Sequence, residues 1–112
     1  MSAMHKTLAS GRWEQLSFAE QMANIGSEVE RSIKWKEKND KNRFENAFER
    51  MLELIDLTLA DKKNTGRLKE VARVREALVD FLLYGNEYNS TSSFFRNYFL
   101  QFGCLARRQG CN

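Results

Sequence analysis

Between residues 43 and 61, the apolar side chains Phe44, Ala47, Phe48, Met51, Leu52, Ile55 and Leu59 recur at spacings of three and four, the repeat of one face of an α-helix. At about 100° per residue they fill an arc of roughly 160°, wider than the seam of a two-stranded coiled coil. Glu45, Glu49, Glu53 and Asp56 take the opposite side. A helix with so broad an apolar arc needs neighbours on more than one flank. This stretch is therefore expected to be the central element.

Little elsewhere in the chain would break a helix. It has no proline and six glycines, four of them in connections or tails, which argues for an all-α fold. Its 112 residues suit one helical domain, 1–112, and eight Phe and two Trp supply a core. Residues 1–12, with the only histidine, His5, read as a flexible tail. Helices are expected at about 17–38, 42–60, 66–84 and 91–108. Ser17 and Glu20 have the form of a capping box, Asn42 and Glu45 that of a second one. Phe18, Met22, Ile25, Val29 and Ile33 line the first helix, and Gly26 beside them permits close approach of a partner helix. Leu68, Val71, Ala72, Val74, Leu78, Val79 and Leu82 line the third. Phe94, Phe95, Tyr98, Phe99 and Phe102 line the fourth, spaced as core residues. Short connections favour antiparallel neighbours, hence an up-down-up-down four-helix bundle.

Charge narrows the function classes. The net +3 is small, and no segment carries the one-sided basic stripe of a strong nucleic-acid binder. No apolar run approaches a membrane span, and the N-terminus lacks an apolar signal core, so a cytoplasmic protein that leaves membranes alone is expected. Cys104 and Cys111 read as thiols.

Catalytic patterns are sparse. The lone His5 serves neither a di-iron bundle, a zinc site nor a nucleophile–base pair, and there is no Gly-rich phosphate loop. No cofactor is called for, and a non-catalytic protein is the expectation. Carboxylate chemistry is the exception: Glu49, Glu53 and Asp56 form an acidic strip of the kind that holds Mg²⁺. Arg75 is surrounded at helical spacing by Leu68, Val71, Ala72, Leu78, Val79 and Leu82. It is therefore expected to point inward, as an anion site or in a buried ion pair. Its partner would be Glu28 or Glu30 of the first helix, or Glu49, Glu53 or Asp56 of the second. Leu100 and Cys104, on the back of the fourth helix, join Trp35 and Leu57 as a candidate apolar interface.

Trp13, Ile25-Gly26-Ser27-Glu28-Val29-Glu30-Arg31, Arg67-Leu68-Lys69-Glu70 and Tyr98-Phe99…Phe102…Ala106-Arg107 together resemble a group of small bacterial all-helical proteins. The resemblance covers nearly the whole chain. The bundle is also similar in shape to HEPN domains, but their catalytic Arg-x(4–6)-His motif is absent. That resemblance implies a non-catalytic partner protein, for example of a nucleotidyltransferase. Glu53-Leu54-Ile55-Asp56 resembles the second half of the motif of MazG-like nucleotide pyrophosphohydrolases, without the upstream E-x-x-E. The expectation is a self-associating interaction module. A Mg²⁺-dependent nucleotide hydrolase and a weak RNA-binding protein are the alternatives.

Overall fold

The computed structural model describes residues 11–110, and among these the chain is an all-α four-helix bundle without strands. Helix α1 spans Phe18–Glu37, α2 Lys41–Ala60, α3 Leu68–Leu83 and α4 Ser92–Gly110, with short 3-10 turns at Trp13–Gln15 and Lys62–Arg67. Each helix end falls within two residues of its expected position. His5, Cys111 and all but the last two residues of the expected tail lie outside the described residues.

Side-chain contacts fix the helix directions. Gln21 near the start of α1 meets Asp61 just past the end of α2. Lys36 near the end of α1 donates to the carbonyl of Leu82 at the end of α3. Arg96 early in α4 meets Glu30 late in α1, and Phe18 at the head of α1 packs on Phe102 late in α4. The helices therefore alternate up, down, up, down. One end of the bundle carries the α2–α3 connection. The opposite end carries the α1–α2 and α3–α4 connections.

Local chemistry explains where the helices begin. The Ser17 amide donates to Glu20 Oε1 at 2.8 Å, and the Glu20 amide donates to Ser17 Oγ at 3.1 Å, the reciprocal pair read from the sequence. The second pairing does not form at Asn42 and Glu45. Asp40 caps α2 instead, accepting from the Arg43 amide at 3.1 Å, because the chain leaves α1 through Asn39 in the left-handed region (φ 58°) and enters α2 two residues early.

The central helix is α1, a correction to the expectation drawn from 43–61. Helix α1 packs extensively along α2 on one side and α4 on the other, whereas α2 touches α3 much less. Gly26 enables the second contact: a Cβ there would stand 2.8 Å from the Cβ of Phe99. Helix α2 is also turned by about 40° from the expected phase, which buries Leu54 and Thr58 and leaves Leu52 and Leu59 at the margin. In α3, Val71, Leu78 and Leu82 are sealed while Ala72 is exposed. In α4, Phe95, Phe99 and Phe102 are core, but Phe94, expected with them, is 55% exposed.

Candidate functional site

Where α1 begins and α2 ends, five polar or part-polar side chains are sealed together: Trp13, Gln21, Thr58, Asp61 and Asn64. The Trp13 indole donates to Thr58 Oγ1 at 3.0 Å, and the Thr58 hydroxyl donates to the Leu54 carbonyl at 2.8 Å. Gln21 Nε2 donates to the Trp13 carbonyl at 3.0 Å and to Asp61 Oδ2 at 2.8 Å. Asn64 Nδ2 donates to Gln21 Oε1 at 2.8 Å and to the Thr58 carbonyl at 2.9 Å. Asp61 also accepts from the Lys63 amide and forms an ion pair with the Lys63 ammonium. Burial pushes the Asp61 carboxyl upward, but the hydrogen bonds from Lys63 and Gln21, with the charge of Lys63, outweigh it and hold the group below its usual 3.8. Each of these five side chains is satisfied, so the cluster works as a clasp. It closes on itself and offers nothing to a ligand.

Arg75 meets one of its expected partners, Asp56 of α2, but at the surface rather than inside the bundle. Arg75 does not enter the core. Helix α3 centres its buried face on Val71, Leu78 and Leu82, which leaves Arg75 on the rim facing α2. There its Nε donates to Asp56 Oδ1 at 3.1 Å, with the two side chains 37% and 58% exposed. Glu28 and Glu30 belong to other pairs. Glu28 is buried and bonded at 2.9 Å to Arg31 of its own helix, and its second oxygen has no hydrogen-bond partner among the described residues. Glu30 takes both arms of Arg96 from α4, at 2.7 and 3.1 Å. Arg75 therefore forms no buried ion pair with Glu28 or Glu30.

Glu49, Glu53 and Asp56 likewise do not gather into a metal site. Asp56 is turned to Arg75, and among the described residues no group of three or more His, Cys, Asp or Glu is placed to hold a metal ion. Of the four proposed interface residues, Leu100 and Cys104 lie one turn apart on α4, whereas Leu57 and Trp35 lie elsewhere. Leu57 packs against the core. Leu100 borders a groove between α1 and α4, and Trp35 lines another where α1 meets α2. Cys104 is half-buried and accepts from Arg107 at 3.4 Å.

The surface that does stand out is the connection from α3 to α4, and sequence spacing alone did not reveal it. Asp80 organises this connection. Its carboxylate accepts from the amides of Glu87 at 2.9 Å and Tyr88 at 3.1 Å, while its carbonyl accepts from those of Tyr84 and Asn86. Asn86 and Asn89 take left-handed backbone angles (φ 55° and 52°), which Asn tolerates better than most residues. The Asn86 amide side chain is bonded both ways with the backbone of Ser90, at 3.0 and 2.9 Å. Thr91 Oγ1 accepts from the Phe94 amide at 3.0 Å, starting α4. With its polar groups turned on themselves, the connection leaves its rings outside: Tyr84 is 72% exposed and Tyr88 61%, next to exposed Phe94. Tyr88 and Phe94 flank an open groove of about 650 Å³ whose α3 side carries Arg73, Glu76 and Ala77. Phe94 stays coupled to the core by its edge contact with Phe95, at 5.2 Å.

Near the other end of α3, Tyr98 donates to Glu70 Oε2 at 2.6 Å, and Arg67 donates to the other oxygen of Glu70 at 2.8 Å while lying 4.5 Å over the Phe18 ring. Burial, followed by the bond to Glu70, pushes the Tyr98 phenol well above its usual 10. This linkage ties α3 and α4 to α1.

Among the described residues, no helix is long and apolar enough to cross a membrane. No family model, curated protein or solved structure matches the chain.

Proposed function

We propose that the protein is a non-catalytic helical interaction module that pairs with a second copy of itself through the α3–α4 face. The observation that carries this reading is the ordered connection 84–91, which holds Tyr84 and Tyr88 in solvent, with Tyr88 and Phe94 flanking the open groove on α3. A backbone ordered in advance loses little conformational freedom on docking, and tyrosine is enriched at interfaces. A second copy suits the surface because the groove carries Arg73 and Glu76 on one turn of α3. A two-fold interface presents the same patch from both sides, so Arg73 of one copy can face Glu76 of the other.

Sedimentation equilibrium across a concentration series tests the proposal. The wild type is expected at twice the mass of one chain, and Tyr88→Asp and Phe94→Glu at the mass of one. Leu100→Glu, on the α1–α4 groove, should stay paired. A wild type that remains a single chain at millimolar concentration removes the proposal. Dissociation by Leu100→Glu alone moves the interface to the back of α4.

A further inference from the structure

At the same end of the bundle, the corner between α1 and α2 has a different chemistry. Residues 34–43 hold Lys34, Lys36, Lys38, Lys41 and Arg43 against Glu37 and Asp40. That local excess equals the net charge of the whole chain, +3. The cations gather about two aromatic rings. Lys34 lies 4.9 Å, Lys38 5.5 Å and Arg43 4.6 Å from the centre of the Trp35 ring, and Lys36 lies 5.7 Å from that of Phe44. Arg43 leans on Asp40 at 3.6 Å, and Lys36 is held by the Leu82 carbonyl at 2.7 Å. Lys34, Lys38 and Lys41 form no ion pair with a carboxylate of the described residues.

A groove of about 200 Å³ opens between the rings, bordered by Trp35, Lys36, Asn39, Asp40, Lys41 and Phe44. Its walls are firm. Phe44 stacks on buried Phe48, with centroids 5.6 Å apart and planes 23° from parallel. The corner backbone is closed by the Asp40 amide donating to the Trp35 carbonyl at 2.9 Å and the Asn39 amide to that of Lys36 at 3.1 Å. The charge evades a search for a basic stripe along one helix because it is wrapped around a turn.

We propose that this corner binds single-stranded nucleic acid, one base entering the Trp35–Phe44 groove while neighbouring phosphates take Lys34, Lys38 and Lys41. Aromatic walls within a ring of cations match that ligand on both counts: stacking favours any base, and ammonium groups favour the backbone. Polyanions without bases would use only the second half of the site. Lys34 and Lys38 sit over Trp35 by cation–π attraction in the free protein, and a phosphate can draw them off the ring face as a base moves on.

Octamers of oligouridylate and oligothymidylate, titrated against the protein while tryptophan fluorescence is followed, test the proposal. Stacking quenches Trp35, whereas Trp13 is sealed in the core and contributes a constant signal. Binding of either octamer is expected, with a slope of log K against log salt of about −2 for three phosphates engaged. An abasic octamer of equal charge should bind roughly tenfold more weakly, the loss of about one stacked base. With binding followed instead by the anisotropy of fluorescein-labelled octamers, Trp35→Ala should abolish that preference for bases. Lys34→Gln with Lys38→Gln, exposed changes that leave the core untouched, should reduce the slope by about one or more. Equal binding of the abasic octamer overturns the base groove, as does equal competition by polyglutamate, which would mark an acidic protein partner. Absence of quenching by both octamers at low salt overturns the site altogether.

Discussion

The two ends of the bundle use similar residues to opposite effect. At the α2–α3 end, Asp61 and Asn64 fold back under the chain and join Gln21, Thr58 and Trp13 in a closed, buried set of hydrogen bonds. At the α3–α4 connection, Asp80, Asn86 and Thr91 also bond to nearby backbone, but they hold it on the surface, with Tyr84, Tyr88 and Phe94 facing out. What decides between the two is the presence of a polar receiver inside the bundle. Gln21 on α1 and Thr58 on α2 offer donors and acceptors at the first end. Behind the second end lie Phe81 and Phe95, centroids 5.3 Å apart, which accept rings and refuse amides. Polar connections seal where the core is polar and present a face where it is apolar.

The sharpest way to break this contrast is to open the clasp. Asn64→Ala removes two donors, strands Gln21 Oε1 in a dry site and leaves the Thr58 carbonyl only its bond from the Asp61 amide at 3.3 Å. The expected loss is roughly 2 kcal/mol, because a buried acceptor left unpaired costs about 1–3 kcal/mol. Urea unfolding against the wild type measures it, and a loss below about 1 kcal/mol would mean that water reaches the clasp. The clasp also has an acid limit. The Asp61 carboxyl titrates lower in the folded chain than its ordinary 3.8. Its contribution is therefore complete above that ordinary value and disappears as pH falls through the lower, native one. Asp61→Asn removes this titration. The advantage of wild type over Asp61→Asn should shrink steadily as the pH is lowered from about 5 towards 3.

That clasp also marks the limit of what could be read from the chain. Periodicity, the absence of proline and the Ser17–Glu20 pair were enough for four alternating helices, because helical spacing and capping are local properties. Which helix is central depends on how two faces share one neighbour, and α1 holds that place through Gly26, where Phe99 comes close. The clue to the clasp was present in Thr58, a polar residue three and four positions from Ile55 and Leu54 and seven from Met51. The same reasoning, applied to Arg75, pointed inward and failed. A threonine can return its proton to the carbonyl one turn back and stay buried, as Thr58 does at Leu54. Arginine has five donors and a charge to satisfy, so a slight turn of α3 takes it to the rim. The outward face at 84–94 was less legible, since Phe94 has the spacing of a core residue and yet lies roughly 100° around α4 from the centre of the face buried by Phe95, Phe99 and Phe102.

A smaller effect is expected at the open end. Asn86→Ala loses both bonds to Ser90 and leaves at φ 55° an alanine, which tolerates the left-handed region less well than asparagine. Left-handed strain and the lost pairing together should cost about 1–2 kcal/mol. The consequence for the face should exceed the consequence for the fold. Hydrogen exchange of the 86–90 amides should quicken while that of the clasp amides stays as in wild type. Equal acceleration at both ends would show that the two are one cooperative unit.

The smallest effect is reserved for Arg75, whose pair with Asp56 belongs to neither end. Its geometry is good, with Nε 3.1 Å from Oδ1, but more than a third of the arginine and over half of the aspartate side chain remain in water. An exposed pair gains little because water solvates the separated charges nearly as well, and ordering two side chains costs entropy. Arg75→Ala should therefore change stability by less than about 1 kcal/mol at moderate salt, and by still less as salt is raised. Deep burial would give the opposite result: about 3–5 kcal/mol for the single change, largely insensitive to salt. Asp56→Ala and the double variant close a thermodynamic cycle whose coupling isolates the pair. A coupling above about 1 kcal/mol would place Arg75 back among the buried groups and turn α3 towards the face its spacing first suggested.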